Sequence, residues 1–436
     1  MNDPNGTIRH AGWYHLFFQH DPDRDTWGRM HWGHARSRDL VHWERLPIAL
    51  TPDAALGEDH CFSGTAWRDD QGHVLLFYTS VRGDHDGFTT EQWAVRANEG
   101  LDTFRRVDSN PIIEPPLPDQ LEIGRTARDP FVFEREGRTF LILGADLPGE
   151  DGAPVIPLYE ASGPELLRWV YRGVMYRPPF SQRRFLECPN LLRVDDADVL
   201  VVSPHGPVEY MVGHFDPSSG TFESSRAGRL DESPDFYATS QFALEETDVP
   251  AVVGWVRGWS PGRGWNGVLS LPRRTSLGPD GDLLQRPEPA LAALRGRACE
   301  ARKFELSAGQ SLRSEAGAAS SFEMEATIGP GSGTGGLRLV EEERGSTVLE
   351  LSIAAGGTRA DLGGCAFDLP DTADGRHRLR LFWDRSMAEL FVDDGRRACT
   401  RVVDTASGAP VRVEWFCSGG RLEIESSTVW PLEGIW

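Results

Sequence analysis

Cysteine is scarce and scattered: Cys61, Cys188, Cys299, Cys365, Cys399 and Cys417 are six in 436 residues, and none forms a CxxC pair. That spacing argues against a zinc ribbon and against a disulfide framework, so reduced thiols are expected. Long apolar runs are missing; none approaches the ~20 residues that cross a bilayer as a helix, and no membrane partner is expected. Basic residues are in deficit, 45 against 66 acidic ones, for a net charge of −21. A surface of that sign repels phosphate backbones and anionic lipid, which argues against a nucleic-acid partner. The chain opens on MNDPNG, with no basic segment leading into an apolar one, and a cytoplasmic location is the expectation. Helical periodicity is nearly absent as well. What remains, 39% hydrophobic and 25% charged, is the composition of an ordinary globular protein, long enough to expect two domains.

What is present is short apolar or alternating runs bounded by Gly, Pro and Asp, such as Trp13–Gln19, Val74–Thr79, Phe140–Gly144 and Val199–Ser203, the pattern of an all-β protein. These runs sit inside a repeat. Five units open on NDPNG at Asn2, FSGT at Phe62, RDPF at Arg128, ECPN at Glu187 and DFYA at Asp235. Their lead polar residues, Asp3, Ser63, Asp129, Glu187 and Asp235, are spaced by 60, 66, 58 and 48 residues. Closing segments match too: SRDLVHW ends at Trp43, NEGLDTF at Phe104, SGPELLRW at Trp169 and DPSSGTF at Phe222. Five sheet units of similar length predict a five-bladed β-propeller over residues 1–289. The repeat then stops. A short helical stretch at Pro289–Arg297 predicts a linker over 290–302. From 303 to 436 the strands alternate cleanly, as in Ser321–Ile328, Val348–Ile353, Arg378–Trp383, Ala388–Val392, Val411–Phe416 and Leu422–Ser426, which predicts a β-sandwich.

In a propeller the opening strands converge on one axis, so Asp3, Asp129 and Glu187 are expected to face one another at the mouth of a funnel. Taken singly, Asp-Pro and Asn-Gly are turn formers; recurrence at equivalent repeat positions favours the functional reading. Breaking a glycosidic bond needs one carboxylic acid to protonate the leaving oxygen and one carboxylate at the anomeric carbon. Three converging carboxyls supply both, and the residues alone do not rank them.

The five openings, in this order and spacing, resemble glycoside hydrolase family 32, the family of invertases, inulinases and levanases. WGRMHWGHARSRDLVHW (Trp27–Trp43), GWNGVLSLPRR (Gly264–Arg274) and LFWDRSMAELFVDDG (Leu381–Gly395) extend the likeness over nearly the whole chain. The resemblance implies a retaining hydrolase that releases fructose from β-fructofuranosides such as sucrose or short fructooligosaccharides. It implies Asp3 as nucleophile, Glu187 as general acid/base, and Asp129 as the holder of fructose hydroxyls. It further implies Asn2, Gln19, Ser63, Arg128 and Tyr237 as polar partners of the sugar or of the carboxyls. Trp27, Phe62 and Trp265 are implied as apolar walls. No cofactor or metal is implied, in keeping with the absence of HExxH. His31 and His34 are expected to pack and hydrogen-bond rather than to hold a metal, and most of the 14 tryptophans to fill blade cores and seams.

Members of the family carry a further strand-forming segment before NDPNG, so Asp3 is expected near a terminus prone to fray. Asp21 before Pro22 and Ser80 after Thr79 also depart from the family pattern beside the funnel. Exo-action on inulin or levan and fructosyl transfer are the neighbouring activities. An inverting arabinosidase or xylosidase, and a non-catalytic sugar-binding propeller, are the readings from other classes.

Overall fold

The computed structural model describes residues 1–83, 87–113, 126–147, 153–178, 185–242, 250–330, 333–404 and 408–435. Two compact units divide the chain. One comprises Met1–Arg229 with Tyr237–Leu277, the other Leu230–Phe236 with Gly278–Trp436. The short segment Leu230–Phe236, inside the repeat by sequence, thus clusters with the second unit.

The first unit is the five-bladed propeller. Blade I runs outward as Pro4–His10, Trp13–His20, His31–Ser37 and Trp43–Leu50; blade II as His60–Arg68, Val74–Arg82, Thr89–Ala97 and Phe104–Arg106. Blade III is Arg128–Arg135, Arg138–Asp146, Pro154–Ala161 and Trp169–Tyr176, and blade IV is Glu187–Val194, Ala197–Ser203, Glu209–Asp216 and Thr221–Arg229. Blade V has Phe236–Phe242, Ala251–Val256 and Arg273–Leu277 in order, with Val268–Leu269 beside its middle strand.

The second strands explain the apolar runs. Each is buried on both faces, and the two-residue period of a strand decides which seam a side chain fills. Leu76 and Tyr78 pack toward Phe17 and Trp32 of blade I, whereas Leu75 and Phe77 pack toward Val132 and Leu141 of blade III. Phe133 and Phe140 then meet Leu191 and Phe215 of blade IV. Leu16 and Leu40 of blade I meet Phe242 and Val253 of blade V, and Asn190 Nδ2 of blade IV donates to Thr239 O of blade V at 2.9 Å, which closes the ring.

The closing motifs are a shared turn into the fourth strand. Leu40, Leu101 and Leu166 all take left-handed backbone, at φ 62°, 51° and 56°. In blades I and III the following tryptophan fastens the turn: Trp43 Nε1 donates to Leu40 O at 3.2 Å and Trp169 Nε1 to Leu166 O at 3.0 Å. Blade IV places Gly220 at the turn (φ 73°), a residue for which that conformation is unstrained.

The second unit contains the β-sandwich. One sheet orders Cys299–Ala301, Arg421–Pro431, Ser321–Ile328, His377–Asp384, Met387–Val392 and Arg397–Val402; the other orders Ser311–Arg313, Val411–Gly419, Thr334–Glu341, Thr347–Ile353, Arg359–Leu362 and Cys365–Asp368. Their inner faces share a core that includes Met324, Leu337, Leu351, Leu381, Trp383 and Trp415. The expected helical stretch is a 3₁₀ helix, Pro289–Leu294, shorter than the sequence suggested, with the Glu288 side chain accepting from Ala290 N. All six cysteines are free thiols.

Candidate active site

The opening strands of blades I to IV share one irregularity. Register shifts occur between Asn5 and Ile8, between Cys61 and Gly64, opposite Ile142 and Gly144 in blade III, and between Glu187 and Asn190. Such bulges turn a strand end and re-aim its side chains. Asp129 (φ 63°), Cys188 (φ 47°) and Ala238 (φ 44°) are left-handed there, a conformation that non-glycine residues hold only under constraint. These strand ends meet on one axis, where a cavity is lined by residues that include Asn5, Ser63, Asp129, Cys188 and Thr239.

Hydrogen bonds tie the carboxyls into one cluster. Ser63 Oγ donates to Asp3 Oδ2 at 2.5 Å and accepts from Gln19 Nε2 at 2.8 Å. Asn2 Nδ2 is 3.5 Å from Gln19 Oε1. Cys188 spans two carboxyls: its N–H donates to Asp129 Oδ2 at 3.0 Å, and its Sγ lies 3.7 Å from Asp3 Oδ2. The Asp129 N–H donates to Thr79 Oγ1 at 2.9 Å. Arg128 reaches Glu187 Oε1 at 2.7 Å and lies 3.9 Å from Asp129 Oδ2. The opening residues do not hang free: Met1 N donates to Asn266 O at 2.8 Å, Asn2 N to Gln19 O at 2.9 Å, and Gln19 N to Asp3 O at 2.9 Å. Asp3 is therefore clasped from blade I and from the Asn266 segment, against the expectation of a frayed end.

Burial lifts both aspartates of the cluster. Burial pushes Asp3 up to about 6, with Glu187 adding to the rise and the Ser63 hydroxyl opposing it. Burial pushes Asp129 up to about 7, Arg128 opposing and Glu187 and Asp3 adding. These are the responses of desolvated, crowded carboxyls. Around Glu187 the hydrogen count is informative. Tyr237 Oη lies 2.5 Å from Glu187 Oε2 and 2.9 Å from Ser203 O, and accepts the His205 N–H at 3.0 Å. The carbonyl of Ser203 can only accept, and a phenol has one proton to give. The phenol therefore has one proton for two acceptors, while Arg128 faces the other oxygen of Glu187.

The two tryptophans expected as walls are partly exposed. Trp27, 40% exposed, packs against His60 at 5.0 Å and Phe62 at 6.1 Å, and Phe62 meets Phe88 at 6.0 Å. Trp265, 43% exposed, packs edge-on to Trp259. Asp25 joins the loops that carry these tryptophans, its Oδ2 accepting from Gly262 N at 2.7 Å and Gly264 N at 3.1 Å. His34 is buried, bonded to His15 at 2.9 Å and stacked on Phe17, and His31 bonds to Arg29 O. Neither histidine belongs to a group of three or more His, Cys, Asp or Glu able to hold a metal among the described residues.

Sequence reasoning missed Thr79, Asp146, Ser203 and His205. Like Gln19, Asp146, Ser203 and His205 lie at or next to the ends of second strands, while Thr79 lies inside Val74–Arg82. The available signal was a polar residue closing each doubly buried apolar run.

Comparison with known proteins is consistent across the chain. The model for the glycosyl hydrolases family 32 N-terminal domain matches residues 1–287, and that for the family 32 C-terminal domain matches 290–431. A raffinose invertase of Escherichia coli is 30% identical, the match covering 99% of this chain and 92% of that protein. A sucrose-6-phosphate hydrolase of Escherichia coli is 32% identical over 68% of this chain and 63% of its own length. Among solved structures, a variant of a Bombyx mori GH32 beta-fructofuranosidase in complex with sucrose superposes with a TM-score of 0.83 at 23% identity, covering 100% of this chain and 92% of that one.

Proposed function

The chain belongs to glycosyl hydrolases family 32 and is a fructosidase of that family, and from that premise we propose that it releases fructose, with retention, from the non-reducing end of sucrose or short fructooligosaccharides. Asp3 attacks C2 of the fructosyl unit while Glu187 gives its proton to the departing oxygen, so the C2–O bond breaks as the ester bond to Asp3 forms. Glu187, now ionised, takes a proton from water, whose oxygen displaces Asp3 from the same face. Asp129 holds fructose hydroxyls, and Arg128 and Tyr237 hold Glu187 through both states. Asn2, Gln19 and Ser63 fix Asp3, while Trp27, Phe62 and Trp265 supply apolar wall.

The observation that carries this reading is the pair of unlike settings. Asp3 receives a hydroxyl proton from Ser63, which favours its anion. Glu187 meets a phenol whose own proton has another acceptor in Ser203 O, which leaves room for a proton on the acid.

The test is stereochemical. With sucrose as substrate, NMR before mutarotation should show β-fructofuranose first, and added methanol should give methyl β-fructofuranoside. An initial α-product would overturn the nucleophile assignment. Inulin, levan and sucrose 6-phosphate beside sucrose rank the substrates, and a large yield of longer fructosides would favour transfer. Binding of sucrose without cleavage would favour the sugar-binding reading.

A further inference from the structure

We infer that His205 and Asp146 form the leaving-group half of the site and take hydroxyls of the neutral hexose that Glu187 releases; this rests on the fructosidase reading above.

Glu187 is flanked on both carboxyl oxygens. Oε1 faces Arg128 at 2.7 Å and Oε2 faces Tyr237 at 2.5 Å. Both partners are largely buried, the Arg128 side chain being only 11% exposed. His205 stands on the open flank: its Nε2 is 3.5 Å from Glu187 Oε1, and its side chain is 56% exposed against 19% for Glu187. A general acid must lie within hydrogen-bond reach of the oxygen it protonates, so the departing sugar passes along that open flank. A donor 3.5 Å from the acid is then within reach of hydroxyls on the departing ring.

The imidazole is held in place by its backbone. His205 has φ 54°, a left-handed position between Pro204 and Gly206, and its N–H is fixed to Tyr237 Oη at 3.0 Å. Nothing in the hydrolytic steps above uses its side chain.

Asp146 closes the second strand of blade III. Its carboxyl is half-buried and raised by burial, with Arg128 and then His205 opposing; Gly144, two residues earlier, pairs with Arg128, and a Cβ there would lie 2.2 Å from Leu186 O, which sets this strand end beside Arg128 and Glu187. The carboxyl makes no hydrogen bond to another described residue. A directed acceptor beside a directed donor is what a sugar with adjacent hydroxyls requires. Asp146, Arg128, Glu187 and His205 together place a polar, hydroxyl-binding half next to the acid and away from Asp3.

The experiment uses the full chain with His205→Asn, which tolerates left-handed backbone but shortens the donor, and with Asp146→Asn and His205→Gln. Product inhibition is read with glucose and with fructose, beside kcat/KM for sucrose and for an aryl fructoside. One hydroxyl contact is worth ~0.5–1.5 kcal/mol, or roughly three- to tenfold. His205→Asn and Asp146→Asn should weaken glucose inhibition by about that factor and leave fructose inhibition in place. The sucrose kcat/KM should fall more than that for the aryl fructoside, and His205→Gln should recover part of the loss. Equal weakening toward both sugars would show that His205 only supports Glu187, and unchanged glucose inhibition would place the leaving group elsewhere; either overturns the inference. The wild-type protein distinguishes the larger failure, since inability to cleave any fructoside would remove the fructosidase reading itself.

Discussion

Ser63 shows how one small side chain can set a pH range. It is the hydroxyl donor to Asp3 Oδ2, and burial already lifts that carboxyl to about 6. A hydrogen bond to a charged group is worth ~1.5–3 kcal/mol, and ~1.4 kcal/mol corresponds to one pH unit. Ser63→Ala should therefore raise Asp3 further. Protonated Asp3 could not act as the proposed nucleophile, so the acid limb of kcat/KM, which reports the free enzyme, should move to higher pH by about one to two units. A pH profile of this variant checks the sign. An acid limb that stays put would assign it to another group, with Asp129, pushed up to about 7, the first alternative.

At the scale of the element, blade I carries a second titrating pair that does no chemistry. His15 Nδ1 meets His34 Nε2 at 2.9 Å across the strands Trp13–His20 and His31–Ser37, with Phe17 stacked on His34. Burial pushes His15 down to about 4 and His34 down to about 3. The unfolded chain binds protons at these residues from about pH 6.5 downward, whereas the folded blade refuses them until about 4 and 3. Stability from this pair is thus full above about 6.5 and is lost as the medium is acidified through that window. The loss is of order a few kcal/mol. Replacing both, as His15→Leu with His34→Phe, should flatten the fall of the unfolding temperature between about pH 6.5 and 4, as measured by calorimetry. An unchanged slope would assign acid sensitivity to other groups.

The same scale shows what the sequence made legible. The five blades were readable because strand pairs buried on both faces must be written as continuous apolar runs, and Val74–Arg82 and Ala197–Ser203 are. The carboxyls Asp3, Asp129 and Glu187 were readable because they recur at one position of a repeat. The bulges that aim them were not, because a left-handed Asp129 or Cys188 leaves no mark in residue type. His205 and Asp146 escaped for a related reason: a polar residue at the end of a run reads as the start of a turn, and only the ring of blades shows that several such ends meet. In the sandwich, Thr334–Glu341 opens on Thr-Gly-Gly, a poor strand signal. Gly336 is nonetheless required there, since a Cβ would lie 1.9 Å from Leu351 O on the neighbouring strand.

At the scale of the whole molecule, the chain does not divide in sequence where it divides in space. Leu230–Phe236 runs into the opening of blade V yet belongs to the second unit. Asp231 has no exposed surface; its carboxylate accepts from Thr400 N at 3.0 Å and Thr400 Oγ1 at 2.7 Å. Glu232 N donates to Ala398 O at 2.9 Å, and Asp235 Oδ2 takes Arg401 at 2.8 Å and Val402 N at 3.0 Å. Tyr237, the partner of Glu187, follows two residues after Asp235. Ending the chain near residue 300 would remove Thr400, Arg401 and Val402, which donate to these two carboxylates. Loss of a partner from a buried charge costs ~3–5 kcal/mol unless the segment moves into water, and movement there pulls on Tyr237. The shortened chain should therefore aggregate or melt well below the full one. A milder cut of the same tie, Thr400→Val with Arg401→Met in the full chain, should lower the unfolding temperature and reduce sucrose turnover more than it weakens fructose binding. A truncated protein that stays monodisperse, melts as before and cleaves sucrose at the full rate would show that Leu230–Phe236 does not steady the acid/base.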